Sequence, residues 1–587
     1  MKTRPKYFRP RDTEARRTNP TAPSPLCLCV SVVQSVCQRP ALPCVPCVPC
    51  IPWVSLSVFF SLLLFLFSNP APAQVDIPYA RLLSAADEPG NWLTYSGSYN
   101  GHRHSSLTEI TTANVSSLKA AWVYQAREAA GKLECSPLVI DGILYITERP
   151  NIVTALDGRT GRALWTYRRP LPTDVQGCCG PVNRGLAVLG DTLYLATYDG
   201  HLVALDANSG RERWDIVVAD YKTGHSITGA PLAVKDKIVV GISGGEYGIR
   251  GFLDAYDAAT GARAWRFWTV PGPGEPGHDT WGGTTSSWKT GGAPTWVTGT
   301  FDPKLNLLYW GTGNPGPDLD GDDRPGDNLY ACSLLALDPD TGKLRWHFQH
   351  TPHDLHDRAS NQIPVLVDTV FAGRPRQLLV QANRNAFYYV LDRVTGEFLL
   401  GTPFAPQTWT AGLDARGRPL ANPAAAPNAT GTLVLPGMGG ATNWFSPAFN
   451  PATQLFYVQA TLNNADIFYQ IKTPYRPGAL FLGGDFRNPP GQEPTSAVKA
   501  LDVTTGKLRW EFPLNTASMA GLLSTAGGLI FGGSREGWFY ALNATTGQPL
   551  WRFTTGGSIM ANPISFQVAG RQHIAICAAS AVFVFSL

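Results

Sequence analysis

The sequence predicts an all-β chain folded as an eight-bladed β-propeller, and three observations predict it. Turn residues are abundant, with 59 Gly and 48 Pro among 587 positions, and no helical heptad is sustained. Short strands joined by tight turns are therefore expected. One pattern, Ala-x-Asp-x-x-Thr-Gly-x-x-x-Trp, recurs along the chain. Each copy follows a β-rich run such as Gly142-Ile143-Leu144-Tyr145-Ile146.

The copies run through Asp157, Gly161 and Trp165; Asp206, Gly210 and Trp214; Asp257, Gly261 and Trp265; and Asp338, Gly342 and Trp346. A weaker copy at Asp392 and Gly396 is followed by Asp502, Gly506 and Trp510, and by Asn543, Gly547 and Trp551. Asp or Asn hydrogen-bonds its own backbone in such a turn, and Gly takes the positive φ that a side chain resists. Trp at a fixed offset offers a large apolar face and an N–H for docking between neighbouring sheets. Four-stranded units of this kind, arranged radially, make a propeller with tryptophan-docking repeats. The turn residues lie 49, 51, 81, 54, 110 and 41 positions apart. The 110-residue gap is expected to hide a degenerate blade around Gln454-Leu455-Phe456-Tyr457-Val458. Leu118-Lys119-Ala120-Ala121-Trp122 is expected to supply the closing strand, which gives eight blades, with seven as the fallback count.

Ahead of the repeats, residues 1–73 read as a leader and residues 74–587 as a single propeller domain. The segment to Pro52 is basic and Pro-rich, Trp53 to Phe67 is apolar, and Ala71-Pro72-Ala73 has the form of a cleavage site. This is the pattern of a secretory signal cut after Ala73, hence a periplasmic protein. The apolar run is shorter than the roughly 20 residues of a comfortable membrane span. The long leader also allows a start codon further in. Residues 1–73 carry a formal charge of +6, so the remainder falls from the whole-chain +4 to −2. No electrostatic case for nucleic acid survives. No CxxCH is present, so the chain offers no c-type haem attachment.

Several segments carry residues suited to chemistry, each with a plainer reading beside it. Cys178-Cys179 is either a pair of reduced thiols in a turn or a strained ring closed by a disulfide between neighbours. Gly241-Ile242-Ser243-Gly244-Gly245-Glu246 is either a Gly-rich hairpin or a loop that lets backbone approach a ligand. Trp310-Gly311-Thr312-Gly313-Asn314-Pro315 is a good turn that also offers an amide oxygen. His350-Thr351-Pro352-His353-Asp354-Leu355-His356-Asp357 invites a zinc reading, but Pro352 interrupts the helix on which a compact His-x₃-His site is built.

Together these segments, from Asn91-Trp92-Leu93-Thr94-Tyr95 through the last repeat, resemble the quinoprotein dehydrogenases of the methanol/ethanol type. The resemblance implies an axial pyrroloquinoline quinone (PQQ) with a calcium ion. It implies Glu246, Asn314 and Asp357 as metal ligands, Asp357 as catalytic base, and Arg384 as the cation on the reactive quinone oxygen. Glu134, Arg184, Thr228, Ser243, Gly244, Gly245, Asn443 and Trp444 would contact the quinone, with Trp296 as floor and a Cys178–Cys179 disulfide as roof. His353 and Asp354 would brace the loop. Ala359 stands where lanthanide-dependent relatives carry an extra Asp, which favours calcium. Two departures put methanol itself in doubt: Met519 replaces a Trp near the cofactor, and the chain ends at Leu587 without a covering Trp-bearing tail.

The implied reaction removes a proton from an alcohol at Asp357 and passes hydride to the quinone, with electrons leaving to an external acceptor such as cytochrome c. A sugar or polyol dehydrogenase is the alternative substrate class. A non-catalytic envelope scaffold with the same repeat is the alternative kind of protein.

Overall fold

Strand formation follows the β-branched and aromatic runs that precede each turn. The computed structural model describes residues 74–127, 132–282 and 286–587; the expected leader and signal lie outside the described residues. Among the described residues eight sheets have four strands or more, seven of them in chain order, and one of these seven gains a fifth strand, His104–Ser105, paired parallel to Leu523–Thr525. Seven span 138–168, 187–217, 232–268, 300–349, 365–403, 448–514 and 523–554. In the remaining sheet, strands over 564–586 are completed by Lys119–Gln125, which pairs antiparallel to Ala581–Ser586. The chain therefore joins its first long strand to its last, as expected for the segment at Leu118–Trp122. The whole is an all-β, propeller-type architecture.

The turn chemistry repeats as the pattern requires. Asp157 Oδ1 accepts the backbone N–H groups of Arg159 and Thr160, and Asn543 Oδ1 accepts those of Thr545 and Thr546. A register shift precedes the Trp in most of these hairpins, for example between Ala155 and Leu156 opposite Trp165 and Ala163. Such a bulge re-aims the side chain. Most docking Trp residues then hydrogen-bond the turn of the following sheet, whereas the Trp346 indole N–H is buried without a partner. Trp122 Nε1 donates to Gly158 O at 3.1 Å, Trp165 to Ala207 O at 3.2 Å, Trp265 to Pro339 O at 2.9 Å and Trp510 to Ala544 O at 3.0 Å. Trp551 closes the series on Leu118 O at 3.1 Å.

Gly161 shows why the turn needs Gly. Its φ is +72°, and a Cβ there would stand 2.5 Å from Trp122 Cε3. Gly570 has a similar φ of +75° with nothing within 4 Å of a Cβ. Both Gly→Ala changes should carry about 1–2 kcal/mol for the left-handed backbone. Gly161→Ala should lose more, because it also displaces the indole. Urea denaturation of the two variants checks this; equal losses would mean that the Trp–turn contact contributes nothing.

The 110-residue gap is filled differently from the expectation. The strand Leu455–Leu462, which carries most of Gln454–Val458, pairs with Thr495–Asp502 and is the second strand of the Asp502 sheet itself. The long connection inside that sheet holds Asp466–Gln470 and Gly484–Arg487, which form a separate three-stranded sheet with Thr432–Val434. A long insertion and a degenerate blade look alike in spacing; only pairing separates them.

First strands such as Leu138–Ile140 are buried, while fourth strands such as Ala163–Arg168 are partly exposed, so the sheets turn their first strands inward. In an antiparallel sheet the start of the first strand and the end of the second lie at one end. Residues just before first strands and just after second strands therefore share a face. The Asp–Gly turns follow third strands and occupy the opposite face.

Candidate active site

Every expected site residue falls at one of those two kinds of position. Glu134, Cys178, Cys179, Arg184, Thr228, Trp296, Asp357, Asn443 and Trp444 precede first strands; Ser243, Gly244, Gly245, Glu246, Asn314 and Arg384 follow second strands. Topology thus gathers them on one face although they span most of the chain.

One group centres on Arg184. It is buried and ion-pairs through Nη2 with Glu134 Oε2 at 2.7 Å, and Lys132 meets the other oxygen of Glu134 at 2.9 Å. Arg184 Nη1 donates to Thr228 Oγ1 at 2.8 Å, and that hydroxyl lies 3.0 Å from Ser243 Oγ. The guanidinium carbon stands 4.5 Å from the Trp444 ring centroid and 5.3 Å from that of Trp296. Its Nε–H is buried without a partner. Aromatic faces, hydroxyls and an orphaned donor together fit a flat, carboxylated ring system.

A second group is acidic and amide-rich. Asn314 is 1 % exposed, and its Oδ1 lies where it would be 3.3 Å from a Cβ on Gly245, beside Glu246. The Asn314 Nδ2 donates to Asp318 Oδ1 at 2.8 Å. Among the described residues the Glu246 carboxylate has no hydrogen bond or ion pair to protein. No three His, Cys, Asp or Glu side chains among the described residues close on one point. A cation would therefore need amide or cofactor oxygens beside the carboxylates. Carboxylate plus amide oxygen is the donor set of a hard cation such as Ca²⁺, so the residues present fit one.

Asp357 lies within electrostatic range of Glu246. Its Oδ2 accepts from Arg384 Nη2 at 2.6 Å, and Arg384 also donates through Nε to Met438 O at 3.2 Å. Burial pushes the Asp357 carboxyl well above its ordinary range against the pull of Arg384, and the Glu246 charge adds to the rise. Asp357 holds φ at +58°, a left-handed conformation that persists when the surroundings over-determine it. Asp354 does that bracing by accepting the backbone N–H groups of His356 at 3.1 Å and Arg358 at 2.6 Å. His353 Nδ1 meets Gly326 O at 3.0 Å, and His356 Nε2 meets Ala425 O at 2.8 Å. His350 packs edge-on against Phe348 and Tyr389. The three histidines thus serve three separate contacts.

The Cys178 and Cys179 sulfurs lie 2.7 Å apart, and Cys179 has φ +65°. Both feel the charge of Glu246; Cys178 also feels Asp357, and Cys179 both Arg184 and Arg384. The pair therefore sits within reach of both groups. Asn443 turns to its own loop, donating to Gly439 O at 3.0 Å and accepting from Trp444 N at 2.9 Å. Met519 is exposed.

Residues 92–406 match the family model described as "PQQ: Glucose/ethanol/alcohol dehydrogenase, beta-propeller domain". The quinoprotein alcohol dehydrogenase PedH of Pseudomonas putida is 36 % identical over 531 residues, covering 86 % of this chain and 88 % of its own. The chain belongs to the PQQ-dependent quinoprotein alcohol dehydrogenases. It is an oxidoreductase acting on alcohols. The quinohemoprotein alcohol dehydrogenase of Comamonas testosteroni is 38 % identical, covering 86 % of this chain and 75 % of its own. Among solved structures, a europium-containing methanol dehydrogenase superposes with TM-score 0.81 at 32 % identity, over 86 % of this chain and all of that one. The quinohemoprotein alcohol dehydrogenase ADHIIG of Pseudomonas putida reaches TM-score 0.83 at 35 % identity, over 87 % and 83 % of the two chains. A second family model, outer membrane protein assembly factor BamB, matches residues 494–576 only, where the docking repeat is found.

Two residues of this quinoprotein's site were not anticipated. Lys132 pairs with Glu134 and donates to Cys179 O at 3.3 Å. Asp318 sits in Asp318-Leu319-Asp320-Gly321-Asp322-Asp323, which reads as a solvated acidic loop, yet Asp318 is fully buried. Nothing in the local sequence separates it from its exposed neighbours Asp322 and Asp323.

Proposed function

We propose that this enzyme is an exported, calcium-dependent alcohol dehydrogenase whose eight four-stranded sheets are the blades of one eight-bladed wheel around PQQ. The observation that carries the reading is the Asp357–Arg384 ion pair within range of the Glu246 charge, with the Asn314 amide oxygen beside Gly245. When bound, PQQ would supply the hydride acceptor of alcohol oxidation, and Ca²⁺ would supply Lewis acidity.

The chain's own residues do the rest. Glu246, Asn314 and Asp357 would hold the cation. Glu134, Arg184, Thr228, Ser243 and the backbone at Gly244–Gly245 would hold the quinone, with Trp296 below and Cys178–Cys179, joined as a disulfide after export, above. Asn443 and Trp444 complete the wall. Asp357 takes the hydroxyl proton on a carboxylate oxygen while Arg384 grips Oδ2 and fixes its direction. The remaining guanidinium N–H groups meet negative charge that develops nearby. Among the described residues no helix is long and apolar enough to cross a membrane. The signal over 1–73 supports a periplasmic location, and the missing haem motif supports an external acceptor such as cytochrome c.

Loading the purified protein with PQQ and Ca²⁺ and screening alcohols, polyols and aldoses by dye reduction tests the proposal. Oxidation of at least one alcohol, lost on dialysis against EDTA and regained with Ca²⁺, is expected. Preference for aldoses would move the substrate class to sugars. Quinone uptake without turnover of any substrate would end the catalytic reading.

A further inference from the structure

We infer that Asp318 is a positioning residue that fixes the Asn314 amide with its oxygen toward the metal position. The inference rests on the metal reading above and extends it to a residue outside the ligand set.

The two side-chain ends of an asparagine are nearly alike in shape and opposite in hydrogen-bond sense. A flip of χ2 replaces an oxygen ligand by an NH₂ group that repels a cation, so an Asn ligand needs a partner that recognises only one end. Asp318 is that partner. Its Oδ1 accepts from Asn314 Nδ2 at 2.8 Å, and in its ionised form Asp318 offers that side chain only acceptors. The opposite end, Oδ1 of Asn314, is then held beside Gly245, next to Glu246.

Asp318 itself is rigidly placed. It is fully buried, and Leu319 N–H donates to Leu482 O at 2.9 Å. Arg324 ties the preceding residue to the base loop, donating to Pro317 O at 2.9 Å and Asp354 O at 2.7 Å. No ion pair joins Asp318 to Arg324 among the described residues, and Asp318 Oδ2 is buried without a hydrogen-bond partner. A residue kept only to pair Arg324 would be bonded to it. What Asp318 does bond is Asn314, and it stands near enough to Glu246 and Asp357 to feel both charges. The chemistry matches that of partners behind metal ligands, whose loss typically lowers metal affinity about 10–100-fold.

The test is Ca²⁺ titration calorimetry on the PQQ-loaded protein, with quinone retention after desalting as a second reading. Asp318→Asn lets the amide at 314 face either way, and its Ca²⁺ affinity should fall about 10–100-fold while thermal unfolding of the unloaded chain stays close to wild type. Turnover should recover at high Ca²⁺, since the base is untouched. The double change Asn314→Asp with Asp318→Asn puts a carboxylate with two equivalent oxygens at 314, where orientation no longer matters, and should restore affinity. A single variant that binds Ca²⁺ within threefold of wild type would overturn the inference, as would a double variant no better than the single one. If the wild type itself bound PQQ but no Ca²⁺, the metal reading and this inference would fall together.

Discussion

Asp357→Asn is expected to lower alcohol turnover about 10²–10⁴-fold, the usual contribution of a general base, with quinone uptake retained. Asparagine is the informative replacement because it tolerates the left-handed backbone that Asp357 adopts at φ +58°. Its amide oxygen can still accept from Arg384, whose Nη2 stands 2.6 Å from Asp357 Oδ2. The loop braced by Asp354 should stay in place, so that what is lost is the carboxylate's basicity and its charge toward the cation. Dye-linked steady-state assays with parallel absorbance of bound quinone separate the two effects. Turnover within a few-fold of wild type would remove Asp357 as the base. Loss of quinone would show instead that the carboxylate acts chiefly as a ligand.

Arg184→Leu is the second large change. Arg184 and Glu134 side chains are 5 % and 1 % exposed, and breaking a buried pair by removing one partner destabilises by about 3–5 kcal/mol. Lys132 remains near Glu134 but is itself partly exposed, so it compensates incompletely. The same substitution removes the cation stacked on Trp444 and Trp296 and the donor to Thr228. Urea denaturation should show the lost stability, and equilibrium dialysis should show weakened PQQ binding. Arg184→Lys is not expected to rescue, because an ammonium cannot reach Glu134 and Thr228 together with a planar fork. A loss below about 1 kcal/mol with unchanged quinone affinity would place Arg184 outside the cofactor cradle.

The site was more legible than its surroundings. Residues set in distinctive short motifs, such as Glu246 after Ser243-Gly244-Gly245 and Asp357 after His356, could be named from the chain because their neighbours mark them. Asp318 could not, since three nearby acids share its local context, and only the fold shows that it bonds Asn314. Lys132 gave no signal either, because a Lys beside Glu134 reads as an ordinary surface pair.

By itself the sequence determined the repeated turn, the docking Trp and hence the class of architecture. These depend on chemistry within about a dozen neighbouring residues: an Asx turn, a positive-φ Gly, an indole at fixed offset. Through its resemblance to the quinoprotein family it also named the segments expected to form the site. Tertiary structure decided that the stretch between Asp392 and Asp502 is an insertion with its own small sheet. It also decided that Glu134 meets Arg184, that Asp357 meets Arg384, and that Asp318 stands behind Asn314. Asp318 and Asn314 lie four residues apart on one loop, but the other two contacts join residues on separate segments. They form only because docked sheets bring their ends to one face, where burial makes every uncompensated charge costly enough to demand a partner.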